Sequence, residues 1–235
     1  WALTGAGTII ADQGDIDFAE TLLRAGLRLQ RCVDDYLGVA WTLRRIASIA
    51  QLQNDYATAE ALNQESLAIG RAHDDAWLMS PALGNLSLLA LARGDLQSAA
   101  VFGEEAVQLG RLIEDTGGLA IQLTVLASVA VEQGDLERSR QLLSESLALA
   151  DQVGAPSIVV ACLAGYATVA TIEGRMQRAA RLYGAREALR RSIGELAAGS
   201  QNPTFMHHSV TVQRRLHPDT WRRLFAESQE MSSTD

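Results

Sequence analysis

The sequence repeats itself at a spacing of forty residues, and this periodicity limits the possible folds more than any other feature. The stretch ARGDLQSA at residues 92–99 returns as EQGDLERS at residues 132–139. Glycine and asparagine tolerate the left-handed backbone that commonly ends a helix, and an aspartate that follows can accept hydrogen bonds from the next helix. Each repeated motif therefore predicts a turn between two helices. The five motifs are Gly14-Asp15, Asn54-Asp55, Gly94-Asp95, Gly134-Asp135 and Gly174-Arg175.

Small side chains recur on both sides of each turn. Seven residues before the turn stand Gly7, Ala47, Ser87, Ala127 and Ala167. Five residues after it stand Ala19, Ala59, Ala99, Ser139 and Ala179. Small residues that face each other allow two helices to approach closely. These two columns predict that each turn joins a tightly packed helical hairpin.

Large apolar side chains flank the small ones. Eleven residues before the turn stand Leu3, Leu43, Leu83, Leu123 and Leu163. Eight residues after it stand Leu22, Leu62, Phe102, Leu142 and Leu182. One hairpin cannot bury such a face alone, so neighbouring hairpins must stack. The pattern predicts an all-α fold, a right-handed superhelix (α-solenoid) of about five helical hairpins with a C-terminal capping helix.

The register of the turns sets the expected boundaries. The five repeats are expected at approximately 1–33, 34–73, 74–113, 114–153 and 154–193, followed by a linker and the capping helix at 194–235. First helices are expected at about 36–53, 76–93, 116–133 and 156–173, and second helices at about 15–31, 55–71, 95–111, 135–152 and 175–192. Pro156 suits a first-turn position, whereas Pro81 predicts a kink or a delayed start.

Composition excludes several kinds of chemistry. The chain has no lysine, so it offers no phosphate-loop lysine, no Schiff-base lysine and no Ser–Lys nucleophile. Motifs such as GxSxG and HExxH are missing, and the two cysteines, Cys32 and Cys162, form no CxxC pair. We therefore expect no enzyme, no catalytic residue, no cofactor and no metal. Free thiols fit a cytoplasmic location, and the first residue, Trp1, indicates a fragment or a processed chain.

Charge is distributed unevenly along the chain. The formal net charge is −8 in total. Residues 1–173 are strongly acidic, whereas residues 174–235 are basic. Phosphate contacts need clustered positive charge, so we expect no direct nucleic-acid contact by this chain, although its basic C-terminal part keeps that alternative open. The apolar runs are also too short to span a membrane.

The columns resemble those of the tetratricopeptide repeat, whose usual period is about 34 residues. The first-helix leucine, the small residue one turn later and the second-helix alanine all match. The extra residues are assigned to a longer connection from second to first helix, marked by the acidic pairs Asp34-Asp35, Asp74-Asp75 and Glu114-Asp115. Repeats of forty residues are similar to those of bacterial signalling ATPases.

The C-terminal part resembles a narrower group. The stretch GRMQRAARLYGAREALRRSIG at residues 174–194 looks like the last repeat of LuxR-type or MalT-like transcriptional regulators, which join a nucleotide-binding ATPase module to a repeat sensor. LHPDTWRRLFAES at residues 216–228 resembles their closing helix, with Trp221 and Phe225 exchanged. The link AAGSQNPTFMHH between them departs from the usual form. The resemblance implies a protein-binding or effector-binding sensor in such a regulator.

In repeats of this kind the first helix of each pair lines a concave groove, which we take as the candidate binding site. A tryptophan, two arginines and an asparagine there could hold a peptide carboxylate or an acidic side chain. The expected groove residues are Trp41, Arg44, Arg45, Ser48, Gln51, Asn85, Leu88, Leu91, Thr124, Val125, Ser128, Glu132, Thr168 and Thr171.

Other interpretations stay open from the sequence alone. The same residues could form an ordinary solvent-exposed surface without a ligand, with Trp41 packed on the first repeat. The chain could also be a standalone scaffold or peptide receptor that binds a segment of a partner protein. Self-association through the terminal repeats is a further possibility.

Overall fold

The structure, a computed structural model, describes residues 1–194 and 203–228, with no side chains described for 203–207. Within these ranges the secondary structure is entirely helical, so the predicted all-α class is confirmed. The predicted linker after residue 194 falls mainly on 195–202, outside the described residues. The helices are α1 (Ala2–Asp12), α2 (Ile16–Cys32), α3 (Tyr36–Leu52), α4 (Tyr56–Ala72), α5 (Ala76–Ala92), α6 (Leu96–Leu112), α7 (Thr116–Glu132), α8 (Leu136–Val153), α9 (Pro156–Ile172), α10 (Met176–Ser192), α11 (Pro203–Arg215) and α12 (Pro218–Glu227).

The backbone repeats every twenty residues, twice as often as the sequence motif. A residue with positive φ follows each of the first ten helices, at a glycine or at Asp34, Asn54, Asp74 and Glu114. The glycines in this series are Gly14, Gly94, Gly134, Gly154, Gly174 and Gly194. Turns within and between hairpins are therefore built alike. The sequence concealed this because aspartate and glutamate occupy the left-handed position in alternate turns.

An aspartate begins most of the helices. The side chain of Asp15 accepts a hydrogen bond from the Phe18 N–H at 3.2 Å, and Asp55 accepts from Thr58 at 3.1 Å. The same role falls to Asp35, Asp75, Asp95, Asp115 and Asp135. Each cap satisfies an N–H group that has no partner inside the helix. The aspartates of the repeated motif are confirmed as helix caps from α2 to α8.

The expected longer connections between hairpins are not found, and neither is a delayed start of the helix that contains Pro81. The connections between hairpins are no longer than those within them, since residues 33–35 and 53–55 each bridge two helices. The additional residues lie inside the helices, most of which are 17 residues long. Pro81 does not delay α5, which begins at Ala76 in the common register. The Asp75 cap fixes that start before the proline is reached.

Contacts divide the chain into two compact units, Trp1–Gly118 and Leu119–Asp235. In the N-terminal unit each helix packs against its sequence neighbours, α1 on α2, α2 on α3 and onward to α6. One cluster joins Leu23 and Leu27 of α2 to Leu43, Ile46 and Ile49 of α3. The small columns lie where predicted, because Ala19, Ala59 and Ala99 are all fully buried. Consecutive hairpins thus form the predicted α-solenoid packing.

The C-terminal unit ends in two helices, not the single capping helix that was expected. Residues assigned to the link form the start of α11, which packs on α9, while α12 packs on α10. Val212 and Leu224 join Tyr183 in one buried cluster. Helices α10 and α12 approach closely at Gly184, where a Cβ atom would lie 2.6 Å from the Phe225 carbonyl oxygen. Glycine permits that distance because it has no side chain.

Candidate functional site

The first part of the candidate site is one face of α3, which we call the α3 face. It comprises Trp41, Arg44, Arg45, Ser48 and Gln51. Trp41 is 36% exposed, and the other four side chains are partly buried. Residues three or four positions apart lie next to each other on a helix, so Trp41, Arg45 and Ser48 follow one another along its length. The structure therefore brings together all the groove residues predicted in this helix.

Arg45 already has partners within the N-terminal unit. Its Nη2 atom lies 3.8 Å from Oδ1 of Asp12, at the end of α1. Its guanidinium carbon lies 5.8 Å from the centre of the Trp41 ring, within range of a cation–π interaction. Both contacts are at the surface and contribute little to stability. They nevertheless orient Arg45 along α3 and towards α1.

Arg44 lacks comparable contacts. Its Nε atom is buried, and no group in the described part of the chain accepts a hydrogen bond from it. Burial, and to a smaller extent the neighbouring charge of Arg45, lowers the pKa of Arg44 to about 10. At neutral pH the guanidinium stays charged. The α3 face thus holds a cation that has lost part of its hydration without gaining an anion.

The next groove residues lie on α5 and have different roles. The amide nitrogen of Asn85 donates to Oδ1 of Asn63 in α4 at 3.0 Å. Asn63 is 1% exposed and donates in turn to the Ala59 carbonyl at 2.8 Å. Asn85 therefore ties two helices together, and one of its two amide N–H donors is engaged. Leu88 is partly buried, and Leu91 is buried.

In the C-terminal unit the groove prediction is largely wrong about exposure. Thr168 is fully buried and donates to the Ala164 carbonyl, and Ser128 is 3% exposed. Val125 and Thr171 are buried as well. The apolar sequences of α7 and α9 leave few positions at the surface, and Val212 of α11 packs with Ala167 and Ala170 of α9. Thr124 is partly buried with its hydroxyl bonded to the Ile121 carbonyl, and Glu132 is exposed.

A cleft of about 550 Å³ lies among α2, α3 and α4, and it was not predicted from the sequence. The rings of Tyr36 and His73 stack there, with centroids 3.8 Å apart. At its edge Arg31 Nη2 lies 2.6 Å from Glu65 Oε1. Tyr36 and His73 occupy unrelated positions of the repeat, so periodicity could not pair them. The cleft has a mixed lining of apolar, aromatic and charged side chains: Arg31, Asp34, Tyr36, Val39, Glu65, Ala68, Ile69, Ala72 and His73.

A buried polar network joins α1, α2 and α3. Gln30 donates to Thr4 Oγ1 at 3.2 Å and accepts from Thr42 Oγ1 at 2.8 Å. The two threonine oxygens lie 3.0 Å apart. Because each group satisfies another, the network fixes α1 against its neighbours without presenting a site.

One face of α1 is uncovered. Ala2, Ala6 and Ile9 are exposed, whereas Thr42, Ile46 and Ile49 are buried at the corresponding positions of α3. Trp1 is also exposed. Self-association through this end stays a prediction.

Two kinds of site are missing from the residues that the structure describes. Histidine, cysteine and carboxylate side chains form no group of three that could hold a metal ion in residues 1–194 and 203–228. Over the same ranges, every helix is too short or too polar to cross a membrane.

Comparisons with known proteins agree with this architecture. Residues 1–72 match the tetratricopeptide repeat family. The comparison with curated proteins gave no match. Among solved structures, the crystal structure of BtubC (BKLC) from P. vanneervenii is similar, with a TM-score of 0.63 over 92% of this chain and 93% of that chain. The identity is 15%, so this likeness concerns the fold alone. The chain contains a tetratricopeptide-like repeat region, and repeats of this kind indicate a scaffold for protein interaction.

Proposed function

We propose that this chain is a sensor that binds a protein segment or a small effector on the α3 face. The observation that carries the proposal is the state of Arg44, a partly buried cation whose Nε has no acceptor in the described residues. A group of this kind is costly in the free protein and becomes favourable when a ligand supplies the missing acceptor. Trp41 beside it offers aromatic surface of the sort that anchors peptides.

The wider context is a bacterial transcriptional regulator with a nucleotide-binding ATPase core, in which this chain is the regulatory region. Support comes from residues 174–194 and 216–228, which resemble the closing repeat of those regulators. Ligand binding would favour one arrangement of the repeats relative to the other domains. Such a shift can be no larger than the difference in ligand affinity between the two arrangements.

The binding function can be tested by selecting displayed random twelve-residue peptides on the chain. We expect the enriched peptides to lose at least about tenfold in affinity, or about 1.4 kcal/mol, when Trp41→Ser removes the aromatic anchor. Leu29→Ser is the matched control, because Leu29 is 61% exposed on α2, away from the α3 face. Calorimetry on each variant gives the affinities. Equal losses in both variants, or no enriched peptide at all, would refute the binding of a protein segment on the α3 face.

The regulator context needs a separate test. The complete reading frame should encode a phosphate-loop ATPase in the same chain. A frame without one would favour the alternative function, a standalone scaffold that captures a segment of a partner protein.

A further inference from the structure

We infer that Arg44 is a carboxylate receptor, the single group of the α3 face that pairs with an acidic ligand. This inference rests on the proposed function and narrows its ligand to molecules that carry a carboxylate. Two other donors of the predicted groove already have partners. Asn85 donates to Asn63, and Arg45 lies beside Asp12.

The local charges leave Arg44 uncompensated. Asp12 lies 3.8 Å from Arg45 and is largely exposed, so its charge is directed to Arg45 and to solvent. The residue next to Arg44 in sequence carries the same charge, which further disfavours an unpaired cation. Thr4 and Gly84 occupy the position of Arg44 in the neighbouring repeats of the N-terminal unit, and neither has an acidic side chain. The arrangement accumulates positive charge where the protein supplies no counterion.

The geometry suits a planar anion. A guanidinium group presents several N–H donors in one plane, and carboxylates commonly accept two of them at once. The side chain of Arg44 is only partly buried, so a ligand can reach it from solvent. Because Nε itself is buried, a ligand oxygen would approach the exposed part of the side chain, and Nε would sense that anion through the shared charge of the guanidinium group. The neighbouring Ser48 hydroxyl donates to the Arg44 backbone carbonyl at 3.1 Å, and because it is neutral it does not compensate the charge of Arg44.

The test uses succinate as a probe, with succinamide as its uncharged counterpart, at constant ionic strength. In the chain labelled with ¹⁵N-arginine, the Arg44 Nε–H resonance is identified by its loss in Arg44→Met. We expect succinate to shift this resonance saturably, with a dissociation constant in the millimolar range, while succinamide leaves it in place. A resonance that does not respond to succinate overturns the inference.

Thermal unfolding provides an independent measurement. Without ligand, Arg44→Met should melt above the unsubstituted chain, since a desolvated charge has been replaced by an apolar side chain. Succinate should raise the melting temperature of the unsubstituted chain and leave that of Arg44→Met unchanged. Arg24→Met is the matched control and should keep the succinate response, because Arg24 is an exposed arginine of α2 that lies outside the α3 face. If Arg44→Met melts lower, Arg44 is already satisfied and the inference is wrong.

The peptide selection and the succinate titration distinguish the binding function of the α3 face from the assignment of Arg44 as a carboxylate receptor. If succinate fails but selected peptides still depend on Trp41, the binding function stands and the carboxylate assignment falls. If succinate binds at Arg44 but no peptide is enriched, the carboxylate assignment stands and the α3 face binds a small effector, not a protein segment.

Discussion

Two interfaces between neighbouring hairpins, α4–α5 and α8–α9, lie at the same position of the repeat and are two forty-residue repeats apart. They nevertheless differ in chemistry. Asn63 bonds to Asn85 in the first, whereas Leu143 fits against Gly165 in the second. A Cβ atom on Gly165 would lie 2.7 Å from the Leu143 side chain, so the larger residue fills space that the smaller one leaves. The comparison teaches that the backbone spacing is fixed while the means of filling it varies.

A second pair of positions makes the same point with charge. Glu60 of α4 pairs with Arg93 after α5, and the signs are reversed in Arg140 of α8 and Glu173 after α9. The partners are 33 residues apart in both cases. These contacts raise the pKa of Arg93 through its hydrogen bond to Glu60, and that of Arg140 through its bonds to Glu137 and Glu173.

One contact is unchanged between the two regions. Ser66 donates to the Ala40 carbonyl at 3.0 Å, and Ser146 donates to the Ala120 carbonyl at 2.7 Å. Each serine reaches 26 residues back, from a second helix to the first helix of its own hairpin. The hydrogen bond from the serine side chain to the backbone is therefore the same in both regions, whereas the pairs formed between side chains differ.

The largest effect is expected from placing the polar chemistry of the first interface into the second. Leu143→Asn removes a side chain that is 1% exposed and buries an amide opposite a glycine. We expect a loss of about 3–5 kcal/mol in the free energy of unfolding, because a cavity and an unpaired amide are created together. Denaturant unfolding measures it, and Gln141→Asn, on the exposed face of α8, is the control.

The paired variant Leu143→Asn with Gly165→Asn should recover part of this loss, since the second amide supplies a partner. A single variant that loses less than about 1 kcal/mol would show that the two interfaces do not depend on matched pairs.

A smaller effect is expected from the reverse exchange. Asn63→Leu removes the acceptor of the Asn85 amide, which should cost about 1–3 kcal/mol. Adding Asn85→Gly removes the unpaired amide and reproduces the packing of Leu143 against Gly165, so stability should rise again. Gln64→Leu, at an exposed position of α4, controls for helix propensity. Additive losses in the double variant would contradict a coupled pair.

The smallest effect is expected from the surface charges. Glu60→Arg should lower the melting temperature slightly because it places two cations together, and Arg93→Glu in addition should restore it. The whole effect should fade in 1 M salt, where the screening length is about 3 Å. A change in melting temperature that is insensitive to salt would show that packing, not charge, acts at this position.

The sequence predicted the features that depend on local backbone requirements. Gly94 predicted a turn because few residues tolerate positive φ, and Asp95 predicted a helix cap because its side chain readily accepts a hydrogen bond from an N–H group of the first turn. The buried alanines followed from the same register. Asp34 and Glu114 were assigned to a longer connection and not to a left-handed turn, since residues with a Cβ seldom adopt that conformation.

The candidate site was only partly predictable. Periodicity placed Trp41, Arg44 and Arg45 together on α3, but it could not show that Asp12 approaches Arg45 and leaves Arg44 without an anion. It also treated Thr168 as a surface position, although α9 is buried on most sides. Those outcomes depend on side-chain packing between distant segments, which a repeat pattern does not encode.

The regular placement of left-handed residues has a consequence for how such a chain can change length. Deleting one residue within a helix would rotate everything after it by about 100° around the axis, turning buried alanines outward. Gain or loss of a complete forty-residue hairpin leaves each remaining side chain facing the same way. Growth of the array by whole duplicated hairpins is therefore tolerated where growth by single residues is not.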